Sequence, residues 1–191
     1  WKEGLEELTV FSNADELTIL INGREVVSGL KPRHDRYPHI KHPPFTWKVE
    51  GFEAGELEVR GFREGELYVS EKIMTPLKPD RLELVADMEG RNFMADGSDI
   101  VVVYARILDK HGTIVDDAHN EVRFSVEGPA SIVGDGLGIG SNPPQVDYGV
   151  APVLVRAGTI AGDVILTARA KGLKEVSINL QTIRAQTNML E

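Results

Sequence analysis

Residues 121–126 read Glu121-Val122-Arg123-Phe124-Ser125-Val126 and place an apolar side chain at every second position. This alternation predicts a β-strand with one face in a core and the other in water, because successive side chains of a strand point to opposite faces. The same alternation recurs in three other stretches, Leu57–Arg60, Arg81–Ala86 and Val176–Gln181. We therefore expect Phe124 to lie in a core, between Val122 and Val126.

Short strands separated by turns run through the rest of the chain. Asn22-Gly23 stands between two apolar runs and predicts a hairpin, because both residues tolerate a positive φ. No capped helical pattern is longer than two turns. Many short strands with turn signals about every 8–12 residues predict an all-β fold of two tandem immunoglobulin-like β-sandwich domains. The other expected strands are Leu8–Phe11, Glu16–Ile21, Thr46–Val49, Glu66–Ile73, Ile100–Leu108, Val153–Arg156 and Val164–Ala170.

A boundary between the two domains is predicted at Thr75-Pro76-Leu77-Lys78-Pro79, where two prolines interrupt the strand pattern. Proline cannot donate a hydrogen bond to a sheet, so a sheet should end there. We assign residues 1–76 to a small immunoglobulin-like sandwich and residues 77–189 to a second one. Leu190-Glu191 is interpreted as the remnant of a purification tag.

Composition and charge exclude several classes of function. The 191 residues include 21 Lys+Arg and 30 Asp+Glu, which gives a net charge of -9. A chain this acidic repels phosphate groups, so nucleic acid and anionic membranes are not expected partners. No apolar run reaches the roughly 18 residues of a membrane-spanning helix. The chain opens at Trp1 without Met or a secretory leader, which we interpret as a fragment or a processed chain.

The chain has no cysteine, and this limits its chemistry. Disulfides, thiolate zinc sites, iron–sulfur clusters and Cys nucleophiles are all excluded. No Ser-His-Asp order and no nucleophile elbow is present either. We expect no cofactor.

The basic loop, residues 31–44, is the most unusual stretch. It holds three of the five His residues and four Lys or Arg side chains against one Asp, and prolines interrupt it. One hypothesis is a zinc, copper or nickel site formed by His34, His39 and His42 with Asp35. The spacing fits no standard zinc pattern, however, so we favour a loop that packs on a neighbouring domain and expect no metal. The residues assigned to this docking role are Arg33, His34, Arg36, Tyr37, His39 and His42.

Three other stretches could carry a site but are better explained as turns. The run Gly134–Gly140 has glycine at every second position, yet it fits neither the dinucleotide fingerprint nor a P-loop. Residues 96–99 and Asp116-Asp117 are acidic, but neither stretch follows the calcium-loop pattern. Asp is common in turns because its side chain binds nearby backbone N–H groups.

Two features relate to carbohydrate chemistry. Asn120-Glu121 could supply a catalytic acid, since glycoside hydrolysis uses a pair of carboxylates. Glu121 lies on the water-facing side of its predicted strand with Arg123, so we do not expect catalysis. Trp47 and Tyr37 could stack on a sugar ring, although Trp47 alternates with Val49 and is expected in the first core.

The second half of the chain contains a characteristic series of motifs: Glu71–Leu84, Ala95–Val103, Asp109–Gly112, Val122–Ala130, Gly149–Arg156 and Ala161–Val164. Their order resembles the C-terminal accessory domains of glycoside hydrolase family 2 enzymes, the β-galactosidase-like group of Bacteroides type. In the first half, Val10–Leu17 followed by Ile21-Asn22-Gly23 is similar to the smaller immunoglobulin-like domain that precedes them there. Invasin-type bacterial immunoglobulin-like domains share part of this pattern.

This resemblance implies a non-catalytic accessory region of a longer enzyme that hydrolyses terminal β-galactosides. The family's two catalytic Glu residues lie in a barrel domain, and they correspond to no position here. The implied partners are the other domains of that enzyme, and the implied location is periplasmic or extracellular. Two alternatives stay open, a carbohydrate-binding module and an adhesin-type pair of surface domains. A shallow groove lined by Trp or Tyr would favour the first alternative.

Overall fold

The computed structural model describes Trp1, residues 3–134 and residues 141–184. Within these residues all regular secondary structure is β, which confirms the predicted fold class. The chain divides into two compact units, Trp1–Pro76 (unit 1) and Leu77–Glu191 (unit 2). No helix in the described part of the chain is long and apolar enough to cross a bilayer. Most of the Gly134–Gly140 run and the Leu190-Glu191 end lie outside the described residues.

Unit 1 is a small sandwich. Its strands are β1 (Glu7–Val10), β2 (Glu16–Ile21), β3 (Arg24–Leu30), β4 (Phe45–Lys48), β5 (Glu56–Arg63) and β6 (Glu66–Met74). One sheet has the order β3-β2-β5-β6 and the other consists of β1 and β4. The predicted hairpin is confirmed, since β2 pairs with β3 across Asn22 (φ 51°) and Gly23 (φ 77°).

The core of unit 1 comes from the inward positions of β2 and β5. Leu17, Ile19 and Ile21 occupy every second position of β2 and belong to the core clusters, although Thr18 and Leu20 between them are buried as well. Phe45 of β4 is fully buried against Leu17. The buried apolar side chains of the core clusters in this unit are Trp1, Ala14, Leu17, Ile19, Ile21, Phe45 and Leu57.

Unit 2 is a larger sandwich of two four-stranded sheets. Its strands are β7 (Arg81–Asp87), β8 (Phe93–Ala95), β9 (Ile100–Leu108), β10 (Val122–Glu127), β11 (Ala130–Ile132), β12 (Val150–Ala157), β13 (Gly162–Ala170) and β14 (Val176–Arg184). The sheets have the orders β10-β13-β14-β8 and β11-β12-β9-β7. The short strands β8 and β11 were not expected, because three residues are too few to show a period.

The stretch that predicted the fold forms the edge strand β10 of unit 2. Phe124 is only 5% exposed and Val122 is fully buried, which confirms the predicted inward face. Phe124 lies opposite Ala168 of β13. The side chain of Asn142 accepts a hydrogen bond from the Phe124 N–H (3.0 Å) and donates one to its carbonyl (2.8 Å). Asn142 thus satisfies the backbone at this edge in place of another strand.

Asp109 fixes the turn that follows β9, and it is 1% exposed. Its carboxylate accepts hydrogen bonds from the backbone N–H groups of His111 (2.8 Å), Thr113 (2.9 Å) and Leu77 (3.0 Å). Burial is the largest influence and acts to raise the pKa of Asp109, but the three N–H donors together hold this pKa below its usual range. The Asp-x-x-Gly motif is therefore a carboxylate-capped turn.

The acidic residues 96–99 also form a turn, as predicted. The Asp96 carboxylate accepts hydrogen bonds from the backbone N–H groups of Ser98 (2.8 Å) and Asp99 (2.7 Å). Asp99 in turn binds the N–H of Met94 (2.8 Å) and the guanidinium of Arg91 (2.8 Å). Both carboxylates are thus used to hold the backbone together.

Candidate functional site

The basic loop connects β3 to β4 and forms a set of linked turns. Its two ends are joined by a hydrogen bond from the Arg33 N–H to the Pro44 carbonyl (2.9 Å). The Arg33 guanidinium binds Asp35 through two hydrogen bonds (2.9 and 3.0 Å) and Thr46 through another (2.9 Å). Arg36 lies over the ring of Tyr37, 5.6 Å from its centre. Arg33 therefore organises this loop and joins it to β4.

Four basic side chains of this loop share one groove. Lys31, His34, Lys41 and His42 line a cavity of about 480 Å³ that also includes Asp15. His34, His39 and His42 are all exposed. Among the described residues, no three His, Asp or Glu side chains are placed so that they could hold a metal ion. The docking role of the loop stays a prediction.

A second groove, here called the aromatic groove, lies beside the β2–β3 hairpin. It has a volume of about 430 Å³, and the residues that define it are Arg24, Glu25, Trp47, Glu50, Phe52 and Glu53. Trp47 is half-buried, because one part of it packs on the core of unit 1 while another part lines the groove. Phe52 is 37% exposed and stacks at a tilt on Trp1, with ring centres 4.9 Å apart.

The aromatic groove contains charges of both signs. Arg24 forms an ion pair with Glu53 at 2.9 Å. Hydrogen bonds from Asn22 and from Arg24 hold the pKa of Glu53 below its usual range. A general acid in glycoside hydrolysis needs a raised pKa, so Glu53 is unsuited to that role. Sequence analysis had named Trp47 as a side chain that could stack on a sugar ring, but it gave no sign of Phe52, which has no recognisable motif around it.

Glu121 lies just before β10 and lines a third cavity, of about 740 Å³. It is exposed and forms an ion pair with Arg123 at 2.6 Å. The other described residues that line this cavity are His119, Asn120, Arg123, Arg169, Ala170 and Lys171, none of which is acidic. Hydrolysis of a glycoside requires a second carboxylate about 5–10 Å away, and this cavity does not supply one from its described lining.

The outer face of the four-stranded sheet in unit 1 carries a buried carboxylate. Sequence alternation placed Glu58 on a water-facing side, but it is only 5% exposed. Arg60 binds it through two hydrogen bonds (2.6 and 3.1 Å), Ser70 donates another (2.9 Å), and Lys72 lies 3.6 Å away. The Arg60 hydrogen bond, helped by Ser70 and Lys72, lowers the pKa of Glu58 to about 2. Long neighbouring side chains cover this carboxylate, which alternation alone cannot predict.

The edge strand β6 leaves apolar surface open. All nine of its residues are exposed. Arg63 lies over the ring of Tyr68, 4.1 Å from its centre. The large apolar side chains exposed on this strand are Leu67, Tyr68, Val69, Ile73 and Met74. An exposed apolar group of this kind on an edge strand is typical of a surface that another protein part covers.

The curated relatives that this chain matches are longer enzymes. A β-galactosidase of Thermoanaerobacter pseudethanolicus is 29% identical over 95% of this chain and 25% of that enzyme. A β-glucuronidase of Formosa agariphila is 25% identical over 94% of this chain and 18% of that enzyme. The chain thus spans a quarter or less of the length of these relatives.

A solved structure of a longer enzyme contains a similar fold. The structure of a β-glucuronidase from glycoside hydrolase family 2 superposes with a TM-score of 0.79 at 23% identity, over 96% of this chain and 19% of that one. Residues 5–69 match a family described as a domain of unknown function (DUF4982). Residues 82–179 match the family described as glycoside hydrolase family 2 C-terminal domain 5. Because that match spans more than half of the 191 residues, the chain belongs to the C-terminal domain family of glycoside hydrolase family 2.

Proposed function

We propose that this chain is the non-catalytic C-terminal accessory region of a longer glycoside hydrolase, here called the parent enzyme, that cleaves terminal β-galactosides. The observation that carries the proposal is the family match combined with the small share of each relative that the chain spans. We favour galactosides over glucuronides as the substrates of the parent enzyme, because the β-galactosidase relative is 29% identical and the β-glucuronidase relative 25%.

The arrangement of carboxylates supports a non-catalytic role. Retaining hydrolysis needs one carboxylate as nucleophile and a second as general acid, the latter with a raised pKa. Glu121 is paired with Arg123, and the pKa of Glu53 is lowered by Asn22 and Arg24. Glu58 is enclosed by Arg60, Ser70 and Lys72. The lowered pKa values of Glu53 and Glu58 hold these two carboxylates in the ionised form. Glu121 has a basic partner in place of a second carboxylate, and these arrangements suit structure better than acid catalysis.

Two surfaces of unit 1 support contact with the remaining domains of the parent enzyme. If another domain covered the exposed apolar side chains of β6, their surface would be removed from contact with water, and this would stabilise the assembly. The basic loop carries Lys31, Arg36 and Lys41 in a chain of net charge -9, so it would attract an acidic partner surface. The proposal includes a periplasmic or extracellular location, which rests on the family resemblance alone and is tested by cell fractionation.

The proposal is tested on the full-length parent enzyme. Aryl β-galactosides should be hydrolysed with a higher kcat/KM than aryl β-glucuronides. Glu121→Gln should leave kcat/KM unchanged, because the catalytic pair lies outside this chain. A preference for glucuronides would overturn the substrate assignment, and a loss of kcat with Glu121→Gln would overturn the accessory role.

A further inference from the structure

We infer that the aromatic groove of unit 1 is a binding site for a neutral sugar ring. The C–H face of a sugar packs on aromatic rings, and its hydroxyl groups both donate and accept hydrogen bonds. A site for such a ligand therefore combines an aromatic surface with a few polar groups of both kinds. The groove brings together Trp47 and Phe52 with the carboxylates of Glu25 and Glu50 and the guanidinium of Arg24.

Hydrogen bonds between residues that are far apart in the sequence hold the wall of the groove in place. The Asn22 side chain donates to Glu53 (2.9 Å) and to the Ala54 carbonyl (3.0 Å), and it accepts the Glu56 N–H (2.9 Å). These bonds fasten the segment that carries Phe52 to the β2–β3 hairpin. Gly55 has a φ of 130°, and a side chain there would meet the Asn22 amide. A site that is preformed in this way loses less conformational entropy on binding.

Charge in the groove disfavours an anionic ligand. Three carboxylates, those of Glu25, Glu50 and Glu53, stand against the single guanidinium of Arg24. A uronic acid would be repelled by this excess of negative charge. A cation such as an alkylammonium ion would be attracted by the carboxylates, but it would also meet Arg24. A polyhydroxylated neutral ring can donate to the free carboxylate oxygens and accept from the guanidinium at once.

Sugar binding is separable from the proposed accessory role. A glycan site in unit 1 would hold the parent enzyme on its substrate without taking part in bond cleavage. Loss of the binding would leave the family membership and the location of catalysis untouched. Detection of turnover by the isolated chain would overturn the accessory role and leave the binding result in place.

The test is a titration of the chain with lactose, followed by tryptophan fluorescence and by calorimetry. Trp1 and Trp47 are the only two tryptophans; Trp47 lines the groove, and Trp1 contacts its Phe52. Lactose should change the emission in a saturable way with a dissociation constant in the millimolar range, as expected for a small ligand in an open groove. Sodium glucuronate and choline chloride are the charged comparisons, and both should bind more weakly than lactose.

Two variants locate the site. Phe52→Ala should weaken lactose binding roughly two- to tenfold, the usual range for loss of one aromatic contact. Glu50→Ala changes an exposed carboxylate outside the core and should also weaken it. Phe11→Ala is the matched control, because Phe11 is 81% exposed in the same unit and does not line the groove.

The outcomes decide the inference directly. It is supported if Phe52→Ala and Glu50→Ala both weaken binding while Phe11→Ala binds lactose as the original chain does. It is overturned if lactose gives no saturable signal, if choline or glucuronate binds more tightly than lactose, or if the control variant loses as much affinity. Should Phe52→Ala unfold because Trp1 loses its stacking partner, Glu50→Ala alone decides.

Discussion

Replacement of Phe124 by alanine should destabilise unit 2 severely. Phe124 is 95% buried within the largest core cluster, and Val122 and Leu166 belong to the same cluster. The cost has two parts, the lost transfer of the ring out of water and the cavity that remains. Such Phe→Ala changes cost about 3–5 kcal/mol, depending on how far the site can collapse.

The structure places this site no lower than the middle of that range. The residue directly opposite Phe124 is Ala168, whose methyl group is too small to fill the space. The backbone of Phe124 is also held on its other side by Asn142, which limits inward movement of β10. A loss of about 4 kcal/mol is a large share of the roughly 5–15 kcal/mol that stabilises a typical domain. At about 4 °C per kcal/mol, the unfolding temperature of unit 2 should fall by roughly 15 °C.

The assay uses thermal unfolding with a separate signal for each unit. Both tryptophans lie in unit 1, so their emission reports that unit, while hydrogen exchange in β10 and β13 reports unit 2. Ser125→Ala is the matched control on the water-facing side of the same strand. The reasoning is refuted if Phe124→Ala leaves the unfolding of unit 2 unchanged, or if Ser125→Ala lowers it equally.

Four further predictions follow from the charged groups and surfaces. Asp109→Asn should destabilise unit 2 near neutral pH, because the new amide places an N–H group against a backbone N–H donor. Since the pKa of Asp109 is lowered in the folded state, its contribution to stability is present above about pH 4, the usual Asp pKa, and is lost as the pH falls. A variant whose stability has the same acid sensitivity as that of the original chain would contradict this. Glu58 has a pKa of about 2 in the folded state against 4.5 as its reference, so its stabilisation of unit 1 should be full above pH 4.5 and lost between 4.5 and 2, and Glu58→Gln should flatten that dependence in tryptophan-detected unfolding. Zinc or nickel should leave the unfolding temperature unchanged if the basic loop is a docking element, whereas a site formed by His34, His39 and His42 would raise it by mass action. Amide exchange at residues 33–42 should be slower in the full-length parent enzyme than in this chain, and equal rates in the two would contradict docking.

Strand positions were predictable where the side chains alternate over six or more residues. Val122 and Phe124 point inward as their period requires, and the Asn22-Gly23 turn follows from the tolerance of both residues for positive φ. Strands β8 and β11 were not predictable, since each has three residues and depends on partners far along the chain. Local pattern therefore decides the long strands, and tertiary pairing decides the short ones.

The candidate sites were harder to predict than the fold, because they depend on contacts across long sequence separations. The basic loop was visible from composition, but its ordering by Arg33 through Asp35 and Thr46 was not. The aromatic groove depends on Asn22 reaching Glu53, 31 residues away. Glu58 follows the strand period, yet neighbouring side chains bury it. Periodicity reports the direction of a side chain and not what covers it.

The central claim is that catalysis lies outside these 191 residues. The most direct measurement is the rate of aryl β-galactoside hydrolysis by the purified chain, with Glu121→Gln and Glu50→Gln as companion variants. The account predicts no turnover above that of buffer, since Glu121 is paired with Arg123 and its cavity supplies no second carboxylate from the described lining. Turnover by the chain that disappears in either variant would contradict the account.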